Sequence, residues 1–421
     1  MKRYEKYKNS GVQWIGEVPS HWNPCRFKIF VSLINTPSTD DNKIGLENIE
    51  SGTGHFKETD SEFEGNGVQF VEDDIVYGKL RPYLRKVWLA TNKGNAVGDF
   101  FVFRANKSNP SYIHWLMLSD GFTSETNGST YGAKMPRVSS DFILSMRYVL
   151  PPLLEQQAIA SFLDAKTKPI DDIIAKREKQ IELLEEMKSA IISRAVTKGL
   201  NPEAQMKDSG IEWIGEIPEG WDVIKTSFLF QLIGSGTTPS KNAPNYAEEG
   251  LFWLQTGDFN DNYVNDTSKY ITDLAVQNCS ALTLFPKGCL VIAMYGASIG
   301  KLGILNIESY TNQACCVLGR EKNILIKFAF YAYKAGRKAL INESRGGGQP
   351  NISQDIISHF KIPVPPINEQ CNLIAYLDSE TSKIDTRITK RRKQIELLQE
   401  YKQALITAAV TGKIDVREYN S

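Results

Sequence analysis

The segment YGKLRPYLRK, from position 77, interleaves basic side chains with aromatic ones and could contact a nucleic acid. Its candidate contact residues are Lys79, Arg81, Tyr83, Arg85 and Lys86. Lysine and arginine bind phosphates, and an arginine can also hold guanine through two hydrogen bonds. We therefore predict DNA contact here, and a solvated basic loop is the plainer alternative.

A second segment, MYGASIGKLG from position 294, offers Tyr295, Ser298 and Lys301 as its counterparts. It also resembles a phosphate-binding loop, but only three residues separate the first glycine from the GK pair. Leu302 stands where that motif requires serine or threonine. We therefore interpret the segment as the counterpart of the basic one and not as a nucleotide site.

Two polar loops, STYGAKMPRVSSD from position 129 and SRGGGQPNISQD from position 344, align with matching residues 214 positions apart, such as Gly132 with Gly346. Glycine and small polar residues let the backbone approach a phosphate or a base closely. A tight surface turn is the alternative interpretation. The loops add these candidate DNA contacts: Lys134, Arg137, Arg345, Gln349 and Asn351.

The other motifs that could support catalysis are incomplete. GSGTTP at Gly234 has Pro239 in place of the last glycine of a dinucleotide-binding motif. NAPNY at Asn242 lacks the adjacent prolines of the NPPY-type motif of amino-methyltransferases. Since no nucleophile, base or metal constellation remains, the sequence predicts neither a catalytic residue nor a metal site in this chain.

Composition limits the class of protein. Lys plus Arg and Asp plus Glu number 49 each, so any DNA-binding surface must be local. The six cysteines form no CxxC pair and the four histidines are far apart, which favours buried reduced thiols over disulfides or zinc. Without a secretory signal or an apolar run of ~18 residues, a cytoplasmic protein that does not enter a membrane is expected.

The elements that must position these segments occur twice in the sequence as internal repeats. Residues 155–199 and 369–413 align without a gap at an offset of 214 and are identical at 23 of 45 positions. The phrases NSGVQWIGEVPSHW from position 9 and DSGIEWIGEIPEGW from position 208 match at 8 of 14 positions, at an offset of 199. The two offsets differ by 15. The region between Trp221 and Pro365 is therefore 15 residues longer than the region between Trp22 and Pro151.

The longer repeat is predicted to be a helix with a coiled-coil seam, because its apolar residues recur at spacings of three and four. Lys188 and Lys402 are among the charged positions that interrupt this seam. An antiparallel pair about a pseudo-two-fold axis would bring the chain termini together. An amphipathic helix on its own domain is the alternative. The apolar seam residues are Ile174, Ile181, Leu184, Ile191, Ile388, Ile395, Leu398 and Leu405.

Together, the two WIGE phrases, the PPLLEQQ and PPINEQ segments, the two KQIELL helices and the basic segments resemble the specificity (S) subunit of Type I restriction-modification systems. The resemblance covers nearly the whole chain. It implies a mixed α/β fold, duplicated in tandem, with two globular target recognition domains separated by two long antiparallel coiled-coil helices. The implied divisions are residues 1–152 for the first domain, 153–200 for its helix, 201–366 for the second domain, and 367–421 for its helix and tail.

The same resemblance implies a non-catalytic DNA-recognition subunit of a DNA-adenine methyltransferase and restriction complex. Its expected partners are double-stranded DNA, two methyltransferase subunits and restriction/translocase subunits. S-adenosylmethionine, ATP and Mg are expected on those other chains and no cofactor on this one. A DNA-reading subunit of another methyltransferase-linked defence system, and a coiled-coil scaffold that does not bind DNA, are the alternatives.

Overall fold

The computed structural model describes residues 2–240, 245–344 and 351–419. The chain divides into two compact units. Unit 1 comprises Met1–Lys179 together with Arg391–Ser421, and unit 2 comprises Gln180–Lys390. Each unit therefore contains parts of both long helices and one insert, the variable region between a WIGE phrase and the following long helix (residues 23–150 or 222–364).

The first half of the chain alternates short strands and helices before it enters a long helix. Its elements are β1 (Tyr7–Asn9), β2 (Glu17–Pro19), β3 (Asn23–Arg26), β4 (Val31–Ile34), β5 (Pro37–Ser38), β6 (Lys43–Ile44), β7 (Gly67–Phe70), β8 (Ile75–Gly78), β9 (Val87–Leu89), β10 (Gly94–Ala96), β11 (Phe100–Ala105), α1 (Pro110–Leu118), α2 (Asp120–Gly128), α3 (Ser140–Ser145), β12 (Arg147–Leu150) and α4 (Leu153–Lys198).

The second half repeats this order with additional strands. Its elements are β13 (Met206–Asp208), β14 (Glu216–Pro218), β15 (Asp222–Lys225), α5 (Thr226–Leu229), β16 (Phe230–Ser235), β17 (Tyr246–Ala247), β18 (Leu251–Leu254), β19 (Asn262–Val264), β20 (Tyr270–Ile271), α6 (Asp273–Asn278), β21 (Leu290–Ala293), β22 (Leu302–Leu305), β23 (Tyr310–Thr311), β24 (Cys315–Glu321), α7 (Ile326–Ala335), α8 (Arg337–Asn342), α9 (Gln354–His359), β25 (Lys361–Val364) and α10 (Ile367–Val410).

The main sheet of unit 1 is antiparallel and has the order β4-β11-β8-β9. Strand β8 is buried on both faces: Ile75 and Tyr77 enter one apolar core and Val76 enters another. In unit 2, the order β16-β24-β21-β22-β19 places β21 in the same way. Burial on both faces explains why each of these strands is written as a continuous apolar run.

The two inserts share strand pairing although they share little sequence. Leu33 pairs with Phe103 in unit 1, and Ile233 pairs with Leu318 in unit 2. The offset is 233 − 33 = 200 for the first strand and 318 − 103 = 215 for the second. Ile75 and Leu290, which pair with Phe103 and Leu318, are also 290 − 75 = 215 positions apart. The extra 15 residues of the second insert therefore lie between β16 and β21.

The segment GVQFVEDDIVYGKL, from position 67, is not one continuous strand. The segment forms β7 and β8, separated by a turn in which Asp73 has a φ of 68°. The amide of Val71 donates a hydrogen bond to the Asp74 carboxylate at 2.9 Å. Aspartate stabilises such turns by accepting bonds from nearby backbone, which breaks the strand.

The long helices pack in antiparallel fashion inside each unit. In unit 1, Leu163 near the start of α4 shares a core with Ile406 near the end of α10. In unit 2, Val196 near the end of α4 shares a core with Leu377 near the start of α10. All the predicted apolar seam residues are buried or half-buried, as one shared apolar face of the helices requires.

The chain termini meet in unit 1, as the repeat predicted. The amide of Asp415 donates to the carbonyl of Lys2 at 2.9 Å, and the Lys2 ammonium lies 2.8 Å from the Glu418 carboxylate. The hydroxyl of Tyr7 donates to the carbonyl of Lys413 at 3.3 Å. The N-terminal phrase thus follows the end of α10 in space, just as the inner phrase follows α4 in sequence.

The cysteines form no disulfide, and their predicted burial is only partly correct. Cys289, Cys315 and Cys316 are buried, and burial raises the pKa of the Cys289 thiol to about 11. Cys371, in the second turn of α10, is exposed. Within the described ranges, no helix has the length and apolar character needed to span a membrane.

Candidate nucleic-acid interface

In unit 1, the structure brings together the basic segment and the polar loop that the sequence singled out separately. The amide of Arg81 donates to the carbonyl of Pro136 at 2.8 Å, and the amide of Val138 donates to the carbonyl of Lys79 at 3.1 Å. Leu80 and Arg137 form an isolated antiparallel bridge. The two candidate segments therefore form one continuous surface.

The loop between β8 and β9 presents Arg81 to solvent. Arg81 and Arg85 have φ values of 50° and 48°, in the left-handed region, and a short 3-10 turn at Pro82–Leu84 lies between them. Among the described residues, Arg81 has no ion-pair partner. Tyr83, on the same turn, is half exposed. Both side chains are thus available to a ligand.

Arg137 and Lys79 converge on one carboxylate, that of Asp99. Arg137 donates to the two Asp99 oxygens at 3.0 and 2.7 Å, and the Lys79 ammonium lies 3.8 Å away. The bond from Arg137 is the main reason that the pKa of Asp99 is lowered. The pair ties the polar loop to the sheet, and about a third of the Arg137 side chain remains exposed.

Arg85 and Lys86 are bound within the protein. The Arg85 guanidinium lies 2.6 Å from the Asp120 carboxylate. Lys86 donates to the carbonyls of Leu46 and Ile49, and burial lowers its pKa. These two side chains therefore hold the loop in place and are less available to DNA than Arg81.

The tip of the polar loop carries exposed residues that sequence reasoning missed. Tyr131 and Arg137 exchange two backbone hydrogen bonds, both of 3.0 Å, which close the loop into a tight turn. Tyr131 is 60% exposed and Met135 is 48% exposed, and Lys134 is exposed between them. Large apolar residues in a loop otherwise made of small and charged ones were the signal that could have found them.

Unit 2 brings together the equivalent segments. Tyr295 forms an antiparallel bridge with Asn351, and the amide of Ile352 donates to the carbonyl of Met294 at 2.8 Å. Asn351 is exposed, whereas Tyr295, Ser298 and Lys301 are half-buried, and burial raises the pKa of Tyr295. The candidates Arg345 and Gln349 lie outside the described residues.

The matched serines of the polar loops have a structural role. Ser139 accepts a hydrogen bond from the amide of Phe142, and Ser353 accepts one from the amide of Ile356, both at 3.2 Å. These are N-caps of α3 and α9, and a serine cap satisfies an otherwise unpaired helical amide. The match between the two loops is therefore partly explained by helix capping.

A duplicated Glu-Gln pair connects each insert to its long helix. The indole of Trp22 donates to Glu155 at 2.9 Å, and the indole of Trp221 donates to Glu369 at the same distance. Next to each glutamate is a buried glutamine, Gln156 or Gln370, that bonds to backbone of the insert. Sequence reasoning noted these phrases as repeats but did not assign them this joining role.

Each unit also contains an ion pair between the two long helices. Lys402 contacts Asp171 in unit 1 at 2.7 Å, and Lys188 contacts Asp385 in unit 2 at 2.6 Å. The lysines are 402 − 188 = 214 positions apart, as are the aspartates, 385 − 171 = 214. These pairs account for the charged lysine positions within the predicted seam.

In the part of the chain that the structure describes, no group of three or more His, Cys, Asp or Glu residues is placed to hold a metal ion. The buried histidine His114 faces the carbonyl of Val87, and burial lowers its pKa to about 4. It therefore stays neutral at neutral pH. The chemistry available at the exposed loops is binding through cationic, aromatic and amide groups.

Comparisons with protein families and with individual known proteins agree with one another. A family model described as "Type I restriction modification DNA specificity domain" matches residues 33–183 and 218–397, more than half of the chain. The putative type I restriction enzyme MjaX specificity subunit of Methanocaldococcus jannaschii is 26% identical over 451 residues, covering 99% of each chain. The MjaVIII specificity subunit of the same organism is 27% identical and covers 78% of this chain and 73% of its own.

A solved structure supports the fold. One chain, from work on the complex assembly and conformational transition of the type I R-M system, superimposes with a TM-score of 0.70 at 19% identity. The match covers 93% of this chain and 98% of that chain. The tandem α/β architecture with long helices is therefore an established fold.

Proposed function

Since the chain belongs to the family of Type I restriction-modification DNA specificity proteins, we propose that each of its two inserts reads one half of a bipartite DNA target. In this family the chain is the DNA-recognition subunit and is not itself an enzyme. The first recognition domain (residues 1–152) and the second (residues 201–366) are the two readers. Methylation of adenine and cleavage belong to partner subunits that hold S-adenosylmethionine, ATP and Mg.

The observation that carries this proposal is the convergence of the same two loops in both units. In each unit, the loop after a doubly buried strand pairs with the segment that leads into a serine-capped helix. The backbone frame is the same, but the side chains on it differ. A shared frame with different surface residues is what two readers of different half-sequences require.

The outer faces of the long helices support docking of two methyltransferase subunits. Leu183 on α4 and Leu397 on α10 are each 51% exposed, and they are 397 − 183 = 214 positions apart. Met187 and Tyr401 form a second exposed pair with the same offset. Exposed apolar residues at matched positions favour two equivalent protein-binding surfaces, one for each methyltransferase subunit.

The spacer helices are proposed to set the gap between the two half-sequences. About 27 residues, from Ile170 to Val196, span roughly 40 Å at ~1.5 Å per residue. At ~3.4 Å per base pair, this length corresponds to about 12 base pairs between the centres of the two recognised blocks, with roughly 6 to 9 unread between them.

Methylome sequencing of a host with and without this chain tests the function. A bipartite methylated sequence should appear only when the chain is present with its methyltransferase subunit. Binding of duplex DNA by the assembled complex should also weaken as salt rises, because phosphate contacts release counterions. A complex that assembles but binds no duplex DNA would favour the scaffold alternative.

Insertion of four residues after Glu186 tests the spacer. The insertion adds about 6 Å along α4, little more than one turn, and so roughly preserves the seam. We expect the unread gap to grow by about one to two base pairs with both half-sequences unchanged. An active variant that keeps the original gap would show that another feature sets the spacing.

A further inference from the structure

We propose that Tyr131 and Met135, at the tip of the polar loop of unit 1, contact the methyl groups of thymine bases in the first half of the DNA target. This inference rests on the proposed function, because it requires that the first recognition domain reads DNA. It assigns a specificity-determining role to two residues that are neither basic nor part of the repeated motifs.

Exposure is the first observation. Tyr131 and Met135 are 60% and 48% exposed. Both lie on a single turn of seven residues, and Lys134 is exposed beside them. Two large apolar side chains so close together on a small polar loop form a local apolar surface, and this is a common mark of a binding surface.

The loop is held in one shape and so presents these side chains in fixed positions. Its ends are joined by the two hydrogen bonds between Tyr131 and Arg137. Gly132 has a φ of 91°, and a Cβ at that position would lie 3.2 Å from the carbonyl oxygen of Met135. The turn therefore depends on a glycine, and it is tight enough to limit the directions in which its side chains point.

Anchors at the base of the loop add to this order. Arg137 donates two hydrogen bonds to Asp99, and the amide of Arg81 donates to the carbonyl of Pro136. These bonds connect the loop to β11 and to the β8–β9 turn. A binding group that is ordered before its ligand arrives loses less conformational entropy on binding.

Charge indicates which ligand fits. Lys134 stands at the tip, and the exposed Arg81 and the partly exposed Lys79 lie on the neighbouring turn. Cations that surround an apolar tip match the DNA major groove, whose edges are phosphates and whose floor carries one apolar group, the thymine methyl. An apolar partner protein would instead favour a tip without this cationic border.

The experiment removes the methyl group from the DNA and the side chain from the protein in turn. The thymines of the first half-sequence, on either strand, are located from the methylated sequence of the host. The assembled complex with its methyltransferase subunit is titrated with duplexes in which single thymines are replaced by uracil, a thymine without its methyl group.

For the native complex, we expect uracil at one or more positions of the first half to weaken binding by roughly three- to tenfold, as for the loss of a buried methyl contact. Tyr131→Ala or Met135→Ala should cost a similar factor on the thymine duplex. The same variant should then bind the thymine and uracil duplexes equally, because the methyl group has lost its partner. Uracil in the second half serves as the control and should affect native and variant complexes alike.

Two results would overturn the inference. One is a native complex that binds uracil and thymine duplexes equally at every position of the first half. The other is a rise in 2-aminopurine fluorescence on binding that Tyr131→Ala abolishes, since that would make the tip a wedge that unstacks bases. A native complex that does not bind its methylated sequence at all would instead reject the proposed function. The titration of the native complex with uracil duplexes uses no variant, so it tests the inference even if a variant misfolds.

Discussion

The loops β8–β9 and β21–β22 follow the same backbone path with different residues. The amide of Gly78 donates to the carbonyl of Lys86 at 2.8 Å, and the amide of Ala293 donates to the carbonyl of Lys301 at 2.9 Å. At the left-handed positions, however, unit 1 has Arg81 and Arg85, whereas unit 2 has glycines 215 positions later. Residues with a Cβ are strained in this backbone conformation. Arg81 and Arg85 therefore lower the folding stability of unit 1 relative to glycine at the same positions.

The matched ion pairs differ in burial. In unit 1, the side chain of Lys402 is 5% exposed, and His55 lies within 3.9 Å of its partner Asp171. In unit 2, Lys188 is 20% exposed and its partner Asp385 is 53% exposed. The two long helices and their ion pairs are duplicated, but the loops of each insert determine how exposed each ion pair is to solvent. The two comparisons teach that backbone and helices were kept while each insert changed the surface and the local burial.

Exchange of a whole insert should have the largest effect. Residues Val223 to Val364 begin and end on the paired strands β15 and β25, where Val223 faces Pro363. Replacement by the matching insert of a relative should change one half-sequence completely and leave the other intact, because both junctions lie on one strand pair. The reciprocal exchange of residues 24–150 should change only the other half. Methylome sequencing checks both, and simultaneous change of both halves would contradict independent readers.

Removal of the lysine from each ion pair sharpens the comparison of burial. Lys402→Met leaves Asp171 largely buried and without its lysine partner, and should lower the free energy of unfolding by about 3–5 kcal/mol. Lys188→Met leaves the exposed Asp385 in contact with water and should cost no more than about 1 kcal/mol. Denaturant unfolding of both variants measures the difference. Equal losses would show that burial does not distinguish the two pairs.

Low pH should destabilise unit 1 through His114. The corresponding residue of unit 2, 215 positions later, is Ala329, which has no titratable group. Burial lowers the pKa of His114 to about 4 from its ordinary value of 6.5, so the unfolded chain binds the proton more tightly. The stabilisation is complete above pH 6.5 and is lost as pH falls to about 4, by roughly 3 kcal/mol in total. Unfolding of the native chain and of His114→Gln between pH 7 and 5 checks this. The pH dependence should be weaker in the variant.

Substitution at the strained positions should have the smallest effect and tests the loops directly. Arg81→Gly gives unit 1 the residue of unit 2 and should lower DNA affinity by about 1–3 kcal/mol if Arg81 holds a guanine. Its folding stability should not fall, because glycine removes the strain. Arg81→Ala should lose the same affinity and keep the strain. If Arg81→Gly bound DNA with unchanged affinity and selectivity, the basic segment would be a solvated loop and not a DNA contact.

Much of the fold could be predicted from the repeats. The offsets of 214 and 199 identified the two long helices and the meeting of the termini, and the structure confirms both. Helical periodicity is readable because it depends on residues three and four apart. The mixed α/β class and the family were also predicted correctly from these motifs.

The candidate site was harder to predict, because it depends on contacts between distant residues. Arg81 and Lys86 are similar in sequence context, but Arg81 is exposed to solvent whereas Lys86 donates to the carbonyls of Leu46 and Ile49. Arg137 meets Asp99 across 38 residues. Whether these residues contact DNA stays a prediction, and the exposed Tyr131 had no signal in spacing or charge.

By itself, the sequence determined that two equivalent halves are joined by two equivalent helices, because periodic local patterns and duplicated phrases require no tertiary information. Only the tertiary structure decided which polar side chains remain free. The partners of Arg85, Lys86 and Arg137 come from segments that are remote in sequence, and burial is a property of the packed chain. For the same reason, the two matched lysines of the seam differ in exposure although they share one repeated phrase.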